Sequence, residues 1–195
     1  METEKKKLRE LILGARDAMP PDDVRRTSSL IEKHLVSVVE FARARTIMFY
    51  LSKGNEVDTH GMVRDALRSG KRVVVPFCPG GHHRMVPAEI RCFSELECGR
   101  FGVLQPRHGE VREVPPEQIE LFIVPGVAFD AEGYRLGRGR GYYDRLLEAA
   151  GAAKIALAYD FQVVERVPRE AHDVRVDIVV TETGAKRIST ARRSG

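Results

Sequence analysis

The sequence predicts a single-domain α/β fold, with a layered, open and mostly parallel sheet, helices on both faces and two N-terminal helices. The first observation is a set of continuous apolar runs of strand length, as in strands covered on both faces. The second is helical apolar spacing between those runs. The third is length, because 195 residues suit one domain. We expect residues 1–184 to form it and residues 185–195 to form a basic, flexible tail.

Helices are predicted at four places. The first ends at Pro20-Pro21, and the second follows at once, capped by Asp22 or Asp23. Two more are expected over residues 59–68 and from residue 141 or 142 to about residue 150.

Five buried strands alternate with these helices. They are predicted at residues 46–51, 72–77, 121–125, 155–159 and 178–180. Residues 79–120 mix prolines, glycines and charges around short apolar pieces, and they predict edge hairpins and loops.

Composition excludes several classes of protein. No window approaches the run of about 20 apolar residues that a membrane span needs, and the N-terminus lacks the apolar core of a signal peptide. The 3 cysteines have no CxxC spacing, which argues against a disulfide scaffold and a structural zinc site. We therefore expect a cytoplasmic protein without a membrane partner.

The charge balance, 32 − 28 = +4, is slightly basic. Basic residues gather in residues 5–9, 135–145 and 186–193. A nucleic-acid-binding module is one interpretation, but the sequence has no known binding motif and no repeat of aromatic and basic residues. The first two clusters also suit small anionic ligands.

The most informative stretch is the glycine- and arginine-rich segment 126–145, between a predicted strand and a predicted helix. The segment thus follows the carboxyl end of a strand, which is where open α/β sheets bind ligands. Glycines at 137, 139 and 141 allow close backbone approach, and the arginines between them offer forked donors for phosphate or carboxylate oxygens. The segment matches neither a Walker A loop nor the dinucleotide fingerprint. A flexible, solvated loop is the alternative.

At this stretch the sequence resembles the 5-formyltetrahydrofolate cyclo-ligase family. The match is carried by Pro125-Gly126, Phe129-Asp130, Gly133 and the run Arg135-Leu-Gly-Arg-Gly-Arg-Gly-Tyr-Tyr-Asp144. It continues through Ala158-Tyr-Asp160, Val167-Pro168, His172-Asp173 and Val176-Asp177. The resemblance implies conversion of 5-formyltetrahydrofolate to 5,10-methenyltetrahydrofolate, with ATP and Mg²⁺ as cofactors and release of ADP and phosphate. Arg140 departs from the pattern, because glycine or lysine often stands there in the family.

The resemblance also implies a set of site residues. The implied ATP contacts are Lys5, Lys6, Lys7, Leu8, Arg9, Arg135, Leu136, Gly137, Arg138, Gly139, Arg140, Gly141, Tyr142 and Tyr143. The implied folate contacts are Leu51, Glu56, Arg138, Gly139, Arg140, Gly141 and Tyr142. Arg138, Arg140 and Tyr143 are the implied catalytic residues, and Asp144 and Asp173 the implied magnesium ligands.

Each assignment has a structural alternative. Lys5 and Arg9 are four residues apart, so they share a helix face, but a solvated basic helix has the same pattern. Arg16 is a weaker candidate, with a surface ion pair as its alternative. Glu56 could accept hydrogen bonds from a pterin while Asp58 or Thr59 caps the next helix.

The two aspartates and the tyrosines also have ordinary explanations. Asp144 suits the first turn of a helix and Asp173 suits a turn, while tyrosines commonly serve packing. Asp160 and Asp177 also follow strands and receive no role.

Three functions therefore remain open. The first is the folate cyclo-ligase, acting on a small-molecule substrate as a monomer or weak homodimer without nucleic acid. The second is another α/β enzyme for phosphate-bearing small molecules, such as a sugar-phosphate isomerase or a CoA-transferase-like enzyme. The third is the nucleic-acid-binding module. Obligatory use of ATP would distinguish the first from the others.

Overall fold

The structure is a computed structural model that describes residues 2–79, 85–99, 102–139, 141–148, 150–170 and 173–189. In these ranges the α-helices are α1 (Glu2–Asp17), α2 (Pro21–Val36), α3 (Val39–Arg43), α4 (His60–Arg68) and α5 (Tyr142–Glu148). Among the described residues, none of these helices is both long and apolar enough to span a membrane.

The main sheet is built from eight of the described strands. They are β1 (Thr46–Met48), β2 (Arg72–Phe77), β3 (Val86–Ile90), β6 (Arg112–Glu113), β7 (Leu121–Val124), β10 (Ala153–Leu157), β12 (Ile178–Thr181) and β13 (Gly184–Arg187). Their order in the sheet is β13-β12-β10-β7-β1-β2-β3-β6. The neighbours from β12 to β2 pair in parallel, and the edge pairs are antiparallel, so the predicted, mostly parallel sheet is confirmed.

Two smaller sheets complete the described strands. The strands are β4 (Leu96–Cys98), β5 (Leu104–Pro106), β8 (Ala128–Asp130), β9 (Arg135–Leu136) and β11 (Val163–Val164). The strands β4 and β5 form an antiparallel hairpin, and β8 lies between β9 and β11. The described strands of the middle segment thus form an antiparallel side of the main sheet, with β6 at its edge, and a separate hairpin, as the composition predicts.

Helices cover both faces of the main sheet. On one face, α2, α3 and α4 pack their apolar side chains against strand residues that include Ile47. On the other face, α5 packs against strand residues that include Met48. Neighbouring residues of β1 therefore point into two separate cores, which explains why its sequence is apolar without alternation.

Three details differ from the prediction. The helix α2 begins at Pro21 with Pro20 as its N-cap residue, so the predicted cap at Asp22 or Asp23 is wrong. Proline suits the first helical position because it needs no backbone donor there, and this moves both aspartates into the first turn. There they pair with Arg25 and Arg26.

The other two differences are the length of a strand and an additional short helix. The strand predicted at residues 46–51 ends at Met48, and the short helix α3 was not predicted. The boundary placed after residue 184 falls at the start of β13, which pairs with β12. The described sheet thus extends to Arg187, while residues 190–195 of the predicted tail lie outside the described residues.

Candidate active site

The site lies where two central strands end side by side. The strands β1 and β7 are parallel neighbours, but the chain leaves them in opposite directions. From β1 it continues through α4 to β2, and from β7 through α5 to β10. Such a reversal of strand order opens a crevice at the carboxyl ends, where α/β proteins bind ligands. The segments bordering this crevice are residues 49–59 and residues 125–141.

A small hairpin that the sequence analysis missed supports the second segment. The strands β8 and β9 pair through a turn organised by Asp130, which is buried. Its Oδ1 accepts from the backbone N–H groups of Glu132 and Tyr134, and its Oδ2 accepts from that of Val167. Gly133 completes the turn with φ +87°. The motif residues Asp130 and Gly133 therefore build the support of the loop.

The glycine loop, defined here as residues 137–141, follows this hairpin directly. Gly139 and Gly141 adopt φ values of +89° and +63°, which glycine accepts without strain, whereas Gly137 does not need a positive φ. The helix α1 holds the start of the loop, because Arg9 Nε donates to the carbonyl oxygen of Gly137 over 3.0 Å. The implied catalytic Arg140 lies outside the described residues.

Glu56 is the meeting point of the two segments. Its Oε1 accepts from Arg138 Nη2 in the glycine loop over 2.9 Å, and its Oε2 accepts from the backbone N–H of Lys53 over 3.0 Å. Arg16 Nη1, from the last turn of α1, lies 3.8 Å from the same Oε1. The structure thus brings Glu56, Arg138 and Arg16 together, although their sequence positions are far apart.

The two arginines at Glu56 differ in burial. The side chain of Arg16 is 3% exposed and that of Arg138 is 57% exposed. A surface ion pair is therefore wrong for Arg16, because the observed pair is buried. Burial lowers the pKa of the Arg16 guanidinium, and the nearby Glu56 carboxylate opposes this shift.

A second cluster forms around Arg135, whose side chain is 3% exposed. Arg135 Nη2 donates to Asp144 Oδ1 over 2.8 Å, and its guanidinium carbon lies 5.8 Å from the centre of the Tyr143 ring. Burial lowers the pKa of Arg135, while the charges of Asp144 and Asp173 act in the opposite direction. Burial also raises the pKa of the Tyr143 phenol well above its usual value, so this group is protonated at neutral pH.

The basic side chains of the N-terminal segment have different surroundings, since some contact the site and others are exposed to solvent. Lys5 is buried, and its Nζ lies 3.3 Å from Glu170 Oε1 and 3.6 Å from Asp173 Oδ2. Lys6 and Lys7 are exposed, and Lys6 makes a long contact to Glu10 on its own helix. Lys5 and Arg9 therefore share the face that meets the site, as their spacing predicts.

The implied magnesium ligands lie in one electrostatic environment. The negative charges of Asp144 and Asp173 both raise the pKa of Arg135, although 29 residues separate the two aspartates in the sequence. No group of three or more potential ligand side chains occurs among the described residues. Two carboxylates suit Mg²⁺ that takes its other ligands from phosphate oxygens and water. The donor set therefore fits a magnesium ion that binds together with a polyphosphate.

Several buried donors in this neighbourhood lack a partner. Within the described part of the chain, Arg16 Nε, Arg135 Nη1 and the Tyr143 hydroxyl make no hydrogen bond. Buried polar groups without partners are costly, and such groups gathered at a crevice favour a ligand rich in acceptor oxygens.

The remaining implied residues have mixed environments. Leu51 and Leu136 are buried in apolar clusters, and Leu8 is partly buried. Tyr142 is half-buried, and Arg145 lies 5.4 Å from the centre of its ring.

Sequence reasoning missed two residues that support the site. The Asn55 side chain donates to backbone carbonyls at the end of α1, and Glu170 pairs with Lys5. Asn55 stands beside Glu56, but nothing in the sequence pairs it with α1.

Comparisons with known proteins agree with this picture. The model of the 5-formyltetrahydrofolate cyclo-ligase family matches residues 1–182. The Escherichia coli K12 protein named 5-formyltetrahydrofolate cyclo-ligase is 31% identical over 176 residues, which cover 88% of this chain and 96% of that protein. The protein of that name from Mus musculus is 28% identical over 176 residues, with coverage of 85% and 87%.

Solved structures show the same fold. The NMR structure of Aquifex aeolicus 5,10-methenyltetrahydrofolate synthetase has a TM-score of 0.85 at 36% identity, covering 96% of this chain and 94% of that one. The corresponding enzyme from Mycoplasma pneumoniae has a TM-score of 0.74 at 26% identity, with coverage of 91% and 98%.

The fold, the crevice and these matches define an enzyme of the ligase class. Because the family model covers nearly the whole chain, including every described segment of the site, the assignment is specific. The chain belongs to the 5-formyltetrahydrofolate cyclo-ligase family.

Proposed function

We propose that the protein converts 5-formyltetrahydrofolate to 5,10-methenyltetrahydrofolate, consuming ATP in the presence of Mg²⁺ and releasing ADP and phosphate. The observation that carries this proposal is the contact between Arg138 in the glycine loop and Glu56 beside β1, within a chain that belongs to this family. The contact supports the proposal, because a glycine- and arginine-rich loop suits phosphate and the adjacent carboxylate suits a pterin.

The chemistry explains the need for ATP. A formamide oxygen is a poor leaving group, so it must first be phosphorylated. A bond forms between the formyl oxygen and the γ-phosphorus while the bond from that phosphorus to ADP breaks. N10 then attacks the formyl carbon and loses its proton, and the carbon–oxygen bond breaks with release of phosphate. Catalysis therefore depends on holding the γ-phosphate against the formyl oxygen and on excluding water.

The chain offers two sets of groups for the two substrates. Glu56 would accept hydrogen bonds from the donors of the pterin ring. The positive φ values of Gly139 and Gly141 shape a backbone that can surround phosphate oxygens, and Arg138 adds a forked donor. Arg138 thus lies where both substrates would meet.

The buried cluster would act on the polyphosphate. Arg135 and Lys5 carry positive charge beside Asp144 and Asp173, so the cluster can balance both an anion and a cation. The two aspartates would hold Mg²⁺, which supplies neutralisation of phosphate charge when it is bound. The protonated Tyr143 hydroxyl is available as a donor to an oxygen of the ligand.

A direct assay tests the proposal. Protein, Mg-ATP and 5-formyltetrahydrofolate are mixed, and the methenyl product is followed by its absorbance in the near ultraviolet. We expect an increase that requires both ATP and Mg²⁺ and that releases one ADP for each product formed. A folded preparation that gives no ATP-dependent increase would overturn the proposal. A non-hydrolysable ATP analogue serves as the control for binding without phosphoryl transfer.

Two further expectations accompany this function. We expect the enzyme to act in the cytoplasm and to be a monomer or weak homodimer. Cell fractionation and sedimentation at several protein concentrations measure these properties.

A further inference from the structure

We infer that Arg16 is a positioning residue for folate recognition, because it holds the Glu56 carboxylate in place. Arg138, the other partner of Glu56, is the one that the substrate replaces. The inference rests on the proposed function, because it takes Glu56 as the residue that binds the pterin. It adds a role for Arg16 that acts through Glu56.

The oxygens of Glu56 are already occupied in the structure. Oε2 accepts from the Lys53 backbone, and Oε1 faces both Arg138 and Arg16. A pterin donor that approaches Oε1 competes with Arg138 for the position that its guanidinium holds there. Arg138 can leave, because its side chain is largely exposed and water can solvate its guanidinium when the pair opens.

Arg16 cannot leave in the same way. Its side chain is almost fully buried, and it pairs with Glu56 as the principal opposite charge in that environment. Moving a buried guanidinium away from its carboxylate leaves a buried charge unpaired, which is strongly unfavourable. The charge of Arg16 therefore stays beside Glu56 when Arg138 departs.

The backbone reinforces this arrangement through the neighbouring residue. Asn55 Nδ2 donates to the carbonyl oxygen of Arg16 over 3.0 Å and to that of Met19 over 2.9 Å. Consecutive residues, Asn55 and Glu56, thus bind the end of α1 through an amide and through a charge. The segment that carries Glu56 therefore also holds the end of α1, and with it Arg16, in position.

The Arg16→Gln variant tests the inference. We expect the KM for 5-formyltetrahydrofolate to rise about tenfold or more, because a charged contact to the recognition carboxylate is lost. The KM for ATP and the value of kcat should change much less. Arg16→Lys keeps the charge and should restore part of the folate affinity. Calorimetric binding of 5-formyltetrahydrofolate without ATP gives a second readout that does not depend on turnover.

A double-mutant cycle shows whether Arg16 acts through Glu56. Glu56→Gln alone should weaken folate binding, and adding Arg16→Gln should then weaken it little further, because the shared contact is already gone. Arg72→Gln is the matched control: it breaks a part-buried pair with Glu89 on strands β2 and β3, so it should lower the melting temperature without changing the folate KM.

Each outcome bears on the inference. An unchanged folate KM in Arg16→Gln overturns it, and so do equal effects of Arg16→Gln in both backgrounds. Should Arg16→Gln fail to fold, Arg16→Lys is carried through the same cycle under the same criteria. If Glu56→Gln does not alter folate binding, the assignment of Glu56 fails as well. Wild-type protein without turnover overturns the proposed function itself, which distinguishes the two failures.

Discussion

Arg135 and Asp144 form a salt bridge of 2.8 Å that joins the last strand before the glycine loop to the first turn of the helix after it. The pair therefore closes the base of the loop formed by residues 137–141. Arg135 is the buried partner, so its charge depends on Asp144 for compensation. A contact that looks structural thus also fixes the end points of the proposed phosphate-binding segment.

The first prediction concerns Asp144. We expect Asp144→Asn to raise the Mg²⁺ concentration needed for half-maximal turnover about tenfold, because a neutral amide is a poorer ligand for this ion. The variant should stay folded but lose about 1–3 kcal/mol of stability, because the buried guanidinium of Arg135 loses its charged partner. Initial rates against Mg²⁺ concentration and urea unfolding measure the two effects.

Asp65→Asn is the control for this variant. It removes an ion pair of the same 2.8 Å length to Arg68, but both side chains are largely exposed. Exposed pairs contribute about 0–1 kcal/mol, so stability should barely change. Wild-type Mg²⁺ dependence in Asp144→Asn would remove this residue from the site.

The second prediction compares two glycines of the loop. Gly139 has φ +89°, whereas Gly137 has no positive φ and an added Cβ would meet nothing within 4 Å. Gly139→Ala should therefore lower kcat/KM about tenfold, because alanine resists this conformation at a cost of about 1–2 kcal/mol. Gly137→Ala should keep near-normal kinetics. Equal losses in both variants would contradict a specific role for the backbone at Gly139.

The third prediction separates two neighbouring lysines. Lys5→Gln should raise the KM for ATP about tenfold, because this buried side chain supplies positive charge beside Asp173. Lys6→Gln should leave it unchanged, because Lys6 is exposed and pairs with Glu10 on its own helix. The measurement is the initial rate against ATP at saturating folate. An equal effect of the two changes would indicate general electrostatic attraction instead.

The fourth prediction concerns acid stability. Arg187 in β13 donates two hydrogen bonds, of 2.5 and 2.8 Å, to the Glu40 carboxylate in α3, and these bonds lower the pKa of Glu40 in the folded protein. The stabilising contribution is present above the glutamate pKa of the unfolded chain, about 4.3, and is lost as the pH falls through the lower folded pKa.

The difference in melting temperature between wild type and Glu40→Gln should therefore be largest near neutral pH and shrink below about pH 4. Melting curves recorded from neutral to acidic pH measure it. Arg187→Gln should reproduce the effect, because it removes the other half of the same pair. A difference that grows in acid would contradict this account.

The sequence predicted the layers of the fold better than its local geometry. Apolar runs such as residues 121–124 are buried on both faces, and that property is visible in the residues themselves. The β8–β9 hairpin was missed because it depends on three hydrogen bonds to Asp130, one of them from Val167, far away in the sequence. Local patterns do not contain such a contact.

In the site, too, local patterns are predictable from the sequence and contacts between distant residues are not. The glycines and arginines of residues 135–144 predict an anion-binding loop, and that role stays a prediction. The four-residue spacing of Lys5 and Arg9 correctly predicts their common helix face. The burial of Arg16 and its pairing with Glu56 were not evident, because they arise from the packing of α1 against the segment after β1. Charge alone does not distinguish a buried arginine from a solvated one.

The position of α1 has a practical consequence for handling the protein. This helix starts at Glu2, buries Lys5 one turn later and holds the glycine loop through Arg9. An affinity tag fused before Glu2 would thus stand next to the candidate site. The opposite end of the described chain reaches the sheet edge at β13, which β12 and β10 separate from β7. Purification tags and surface-immobilisation handles therefore belong at the C-terminal end.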